Sequence, residues 1–185
     1  MKKRHVLMLL VAAFVCVSFV NGCGSGATSG GGGGGSYLLG NLYVDAASTA
    51  VTEEGSQLYP FHAITSAVTS ADVDSATIHV SKGTYVGRVT VKKGVSIYGG
   101  YDASVTWEPT SRSASNKVII LCTTLEAVSG KVIAVAALNI TSRTTLEYLT
   151  VITSSAATAG GDSIGIYAYN SGGLVIMSCE VHAGM

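Results

Sequence analysis

The stretch from Ala76 to Asp102, ATIHVSKGTYVGRVTVKKGVSIYGGYD, constrains the fold more than any other. It predicts three short strands, at 77–80, 88–91 and 95–98, set apart by Lys82-Gly83-Thr84 and Lys92-Lys93-Gly94. Each alternates: Ile78 and Val80 face away from His79, Val89 and Val91 from Thr90, Val95 and Ile97 from Ser96. Alternation with period two over so few residues predicts strands, because successive side chains of a strand point to opposite faces. Strands this short, turned at Gly-containing corners, predict an all-β chain wound into a coil of stacked parallel strands.

The same pattern recurs downstream, with strands expected at 118–121, 132–135, 146–151, 164–169 and 174–181. The segment from Leu146 to Val151 overlays that from Ile176 to Val181 at a spacing of 30 residues. A repeat of that length predicts a solenoid, each turn burying an inward column of Val, Ile and Leu against the next. Upstream, the spacing of Phe61, Ile64, Ala67, Val68 and Ala71 predicts one amphipathic helix over 60–71, with Pro60 at its first position. Its apolar face would cover the open end of the first coil. A strand is expected at Leu42-Tyr43-Val44. The chain ends at Met185 directly after a strand. Since terminal repeats need a cap, the sequence is expected to be the N-terminal portion of a longer solenoid, with an exposed strand edge prone to self-association.

The N-terminus carries a different message. Lys2-Lys3-Arg4 precedes an apolar run from Val6 to Val20, shorter than the roughly 20 residues that span a bilayer. That is the layout of an export signal. It ends in Val20-Asn21-Gly22-Cys23, which resembles a bacterial lipobox. The resemblance implies that residues 1–23 are a signal peptide, that Cys23 is the lipid attachment site, and that the membrane is a partner through that lipid. Several acyl chains hold firmly, each buried methylene contributing about 0.8 kcal/mol. Gly24 rather than Asp follows Cys23. By similarity to Gram-negative lipoproteins this favours a cell-envelope location at the outer membrane or cell surface over the inner membrane. Residues 24–36, GSGATSGGGGGGS, read as a flexible tether reaching roughly 20 Å. A phosphate-binding loop there would need a strand before it and a helix after it, and neither is expected. Residues 37–185 form the expected coiled domain.

Only 12 % of residues are charged and the formal net charge is zero. Eleven basic side chains, three of them in the leader, supply no basic face for nucleic acid. No cofactor and no metal site is expected, since His62, His79 and His182 lack ligand spacing. His62 is expected on the helix and His79 on an outward strand face. Gly161-Asp162-Ser163-Ile164-Gly165 matches the serine hydrolase pattern, but the expected flanks are a loop and a strand rather than a strand and a helix. Glu108, Glu126, Glu147, Asp162 and Glu180 are scattered, and Lys117, Lys131, Arg88 and Arg143 are expected as similarly isolated, solvated surface charges. Cys122 and Cys179 are expected as free, buried thiols, because about two coils separate them along the axis. Asn116, Asn139 and Asn170 could stack as a ladder at coil corners, and Asn139-Ile140-Thr141 is a glycosylation sequon by pattern only. Tyr98, Tyr101 and Trp107 are candidates for an aromatic glycan contact, set against the plainer reading that they pack the first coil's corner.

A set of ordered segments adds a resemblance. Leu42-Tyr43-Val44-Asp45, Pro60-Phe61 with Ile64 and Ala67, Thr77-Ile78-His79-Val80, Gly83-Thr84-Tyr85, and the run from Gly94 to Asp102 followed by Trp107 resemble the N-terminal part of pectin-lyase-like right-handed parallel β-helix proteins. They are most similar to a bacterial surface-protein group of unassigned function. The match covers roughly residues 41–110 well and the remainder loosely. It departs after Asp45, where Ala46-Ala47 stands in place of a Gly-containing turn. The resemblance implies a right-handed parallel β-helix; with no clustered acid, base or metal set, the expected role is a lipid-anchored, non-catalytic binding, adhesion or structural one toward polysaccharide or surfaces. The alternative is a polysaccharide lyase or glycoside hydrolase whose catalytic coils lie beyond residue 185.

Overall fold

The computed structural model describes residues 40–71, 74–124, 131–156 and 160–184. The expected leader and tether, and Met185, lie outside them. Twelve strands and one α-helix are present among the described residues. The strands form three sheets in which every pairing between them is parallel. Sheet A holds β1 (Asn41–Val44), β2 (Thr77–Ser81), β5 (Ser96–Tyr101), β8 (Thr144–Glu147) and β11 (Leu174–Met177). Sheet B holds β3 (Gly83–Val86), β6 (Val118–Cys122), β9 (Thr150–Thr153) and β12 (Glu180–His182). Sheet C holds β4 (Val89–Val91), β7 (Val132–Leu138) and β10 (Ser163–Tyr169). From β2 onward the chain visits A, B and C in fixed rotation. Each strand therefore pairs with the strand three places on, and backbone amides that a thin turn cannot satisfy internally are met by the next turn.

The alternation drives this arrangement. Leu42, Ile78, Ile97, Leu146 and Ile176 stand in register as one inward column of sheet A. Tyr85, Ile120, Val151 and Val181 form the matching column of sheet B. Ile78, Ile97, Ile120, Leu146 and Val151 are at most 1 % exposed. Removing such surface from water is worth about 25 cal/mol per Å² and is the main stabilising term. The columns run out at the last rung, where Ile176 is 47 % and Val181 49 % exposed. The 30-residue overlay predicted from sequence is the observed register, with Leu146 opposite Ile176 and Val151 opposite Val181.

Several boundaries differ from expectation for identifiable reasons. The expected single strands at 146–151 and 174–181 are each two strands meeting at a corner. Tyr148 and Ser178 turn the corners in the left-handed region, at φ 54° and 50°. Sequence gave no warning, since this conformation favours Gly, Asn or Asp. Asn139 and Asn170, at φ 56° and 48°, turn the next corner with the usual chemistry, and the Asn170 amide donates to Asn139 Oδ1 at 2.9 Å. The expected ladder thus has two rungs; Asn116 instead donates to the Gly100 carbonyl at 3.0 Å. Gly83-Thr84, expected as a corner, opens β3. The helix α1 spans Ile64–Ser70, not 60–71. Phe61 is tied to β1 through Phe61 N–H to the Tyr43 carbonyl and Asp45 N–H to the Phe61 carbonyl, so the chain stays extended through Pro60 and Phe61. The predicted apolar face is right: Phe61, Ile64, Ala67, Val68 and Ala71 are buried, and α1 packs on β1, β2 and β4. Lys92 Nζ donates to the Ala71 carbonyl just past the helix end. Cys122 and Cys179 are free, Cys122 buried and Cys179 half-buried.

Candidate functional site

The outward column of sheet A reads Tyr43, His79, Tyr98, Glu147, Met177, one residue per rung. Because the register is fixed by the inward column, these side chains are placed about 4.8 Å apart along the stack. The connection between β5 and β6, residues 102–117, folds back over them. An antiparallel bridge between Asp102 and Thr106 and an ion pair from Lys82 to Asp102 start its return. The return brings Trp107 and Arg112 onto the outer face.

Two joined clusters result. In the first, Tyr43 stacks on His79 with ring centroids 4.9 Å apart and planes at 16°. Trp107 meets Tyr43 edge-on at 5.0 Å, and the Tyr101 ring lies 5.1 Å from His79 and 5.8 Å from Trp107. The Tyr101 hydroxyl donates to His79 Nδ1 at 2.8 Å, and His79 Nε2 donates to Asn41 Oδ1 at 3.0 Å. That pattern uses the neutral imidazole, and burial, then the nearby Arg112 charge, push His79 down to about 4. Burial likewise raises the Tyr101 phenol. In the second cluster the Arg112 guanidinium lies 5.0 Å from the Tyr98 ring, 5.0 Å from Tyr148 and 5.4 Å from Tyr101. Its Nε donates to the Gly99 carbonyl at 3.0 Å. Its Nη2 stands 3.1 Å from Glu147 Oε2, within ion-pair range but off hydrogen-bond alignment. Cation–π contact and the Glu147 charge together compensate the cation.

The three rings singled out from sequence do not all reach the surface. Tyr101 is 1 % exposed and holds His79 from within, so no sugar can reach it. Trp107 and Tyr98 are half-buried and belong to different clusters. Tyr43 and Tyr148, also half-buried, complete the row and were not expected from sequence. Nor was Arg112, which carries no local motif and is brought in by the fold-back of a polar loop. His79 points outward as predicted but is covered, at 9 % exposed.

The other candidates are placed apart from this face. Ser163 opens β10, and its hydroxyl donates to the Ser154 carbonyl at 2.7 Å, so no base activates it. His182 lies 3.8 Å from Glu180, which also faces Lys117 at 3.6 Å. Lys131 pairs with Asp162 at 2.9 Å. Lys117 and Lys131, read from sequence as standing apart, are therefore ion-paired between rungs. Glu126 lies outside the described residues. Among the described residues no three His, Cys, Asp or Glu side chains converge as a metal site, and no helix is long and apolar enough to cross a membrane. No family model, no curated protein and no solved structure matches this chain.

Proposed function

We propose that this chain is a lipid-anchored cell-envelope protein whose outer face on sheet A binds a neutral polysaccharide without cleaving it. The observation that carries the reading is the row of half-buried rings, Tyr43, Trp107, Tyr98 and Tyr148, with every charge beneath it compensated. Aromatic faces present C–H-accepting surfaces to sugar rings, and the polar rims of Tyr and Trp keep hydrogen-bonding ends in water. His79 is neutral and Arg112 is paired, so the face has no net charge to recruit an acidic polymer. Rings spread over successive rungs suit an extended chain rather than a single sugar.

The rotation of strands through three parallel sheets supports a right-handed parallel β-helix as the architecture, since parallel crossovers of this kind are right-handed in about 98 % of cases. The pectin-lyase-like resemblance agrees with that reading. Anchoring rests on the lipobox at Val20-Asn21-Gly22-Cys23 and on residues 24–36 as tether.

Affinity electrophoresis of the full chain through gels cast with neutral or acidic polysaccharides tests the binding. Retardation by a neutral polymer, lost on Trp107→Ala by about tenfold in apparent affinity, is expected. Equal mobility in every gel, or retardation unaffected by Trp107→Ala and Tyr98→Ala, rejects the reading. Radiolabelled palmitate incorporated by the chain and lost in Cys23→Ser tests the anchor separately.

A further inference from the structure

Residues 45–60 run from the end of β1 to the approach of α1 and are fastened at few points. The Tyr43 N–H donates to the Gly55 carbonyl at 2.9 Å, and Gly55 packs on Phe61 and Leu42. Ala46 N–H donates to the Tyr85 hydroxyl at 3.3 Å, and Gln57 donates to the Tyr43 hydroxyl at 3.0 Å. Asp45 N–H donates to the Phe61 carbonyl at 2.8 Å, and a further fastening is His62. Its Nδ1 lies 2.9 Å from Glu53 Oε1, its Nε2 lies 2.9 Å from the Ser48 carbonyl, and its backbone N–H donates to Glu53 Oε2 at 2.9 Å. A carboxylate and a carbonyl can only accept. Both ring nitrogens must therefore donate, which only the imidazolium can do. Both side chains remain more than a third exposed, so solvent protons reach them freely.

We propose that residues 45–60 form a strap clasped by the His62 imidazolium and released by its deprotonation. Neutral His62 keeps one donor for two acceptors, so either Glu53 or Ser48 loses its partner. Among the described residues, the charged groups acting on His62 are Glu53 and Asp45, both at the strap. Among the described residues, Tyr85 also lines the cleft of about 220 Å³ beside it, and α1 brings no ionisable side chain. The hydrogen bond to Glu53 raises His62 above its ordinary value, while the bonds from His62 hold Glu53 below its own. The sign follows. The clasp is complete below the ordinary histidine value and is lost as pH rises through the raised one. On the acid side it is lost as pH falls through the lowered Glu53 value. Strap order is therefore bell-shaped in pH.

Hydrogen exchange of the full chain, with labelling times corrected for the intrinsic pH dependence of exchange, tests this over the strap between pH 5 and 9, alongside an NMR titration of the His62 ring. Strap exchange is expected to rise by roughly two- to fivefold as His62 deprotonates, the range that an exposed pair's contribution converts to, while β5 and β8 stay unchanged. His62→Gln is expected to abolish the pH dependence. Glu53→Gln is expected to lower the His62 titration and move the opening to lower pH with it. Strap exchange that is flat through the His62 titration, or a rise that persists in His62→Gln, overturns the proposal.

Discussion

Truncating one inward column at two heights gives unequal losses. Leu146 is 1 % exposed, held between Ile97 below and Ile176 above. Leu146→Ala removes three carbons, about 2.4 kcal/mol of transfer free energy at 0.8 per carbon, and leaves a cavity that neighbouring rungs cannot close. The expected loss is about 3.5 kcal/mol. Ile176 occupies the same column one rung later, but 47 % of it is exposed. Ile176→Ala forfeits about half the transfer term and opens no closed cavity, about 1.2 kcal/mol. In urea, at an m-value of about 2 kcal/mol per M, the midpoints fall by about 1.7 M and 0.6 M. Measurements at low protein concentration keep any association through the last rung out of the comparison. Equal shifts for the two variants would refute the reasoning, because they would mean that the last rung is as covered as the interior.

Three further outcomes follow from single positions. A Cβ at Gly165 would stand 2.2 Å from Val181 Cγ1; Gly165→Ala is expected to cost about 1–3 kcal/mol, and Val181→Ala in the same chain to recover most of it in a double-mutant cycle. Ser178 holds φ 50°; Ser178→Val should cost about 1–2 kcal/mol, and Ser178→Gly should stay within about 0.5 kcal/mol of the parent, both read from urea midpoints. With His79 pushed down to about 4, the unfolded chain binds the extra proton first, so stability falls as pH drops from about 6.5 to 4, by about 2–3 kcal/mol. His79→Gln should flatten that limb, and an unchanged acid limb would show that His79 does not cause it.

Much of the strand pattern was legible because an inward Val, Ile or Leu must alternate with an outward polar residue wherever one sheet face is buried. That rule placed Ile78 and Ile97 inward, opposite His79 and Ser96. It could not divide residues 146–151 into two strands, since Tyr148 is an unlikely residue for a left-handed corner and its cost is met by packing against Arg112. Nor could it shorten the helix, because the tie between Phe61 and β1 joins residues distant in sequence. The candidate site was legible only as composition. Tyr98, Tyr101 and Trp107 are near neighbours along the chain, yet the Tyr101 side chain is sealed against His79 while Trp107 is turned toward Tyr43. Which ring faces solvent depends on how residues 102–117 fold back, and no local spacing encodes that.

One distance tests the stacking order of the turns. Thr84 on β3 and Glu180 on β12 are exposed and separated by three inter-strand steps of sheet B, through Ile119 and Thr150. Three steps of about 4.8 Å place their backbones about 14 Å apart. Spin labels on cysteines introduced at these two positions, with Cys16, Cys23, Cys122 and Cys179 replaced by Ala, report that separation by pulsed electron resonance. A narrow distribution centred within the reach of the label arms around 14 Å is the predicted result. A broad distribution, or one centred beyond about 30 Å, would contradict the coil.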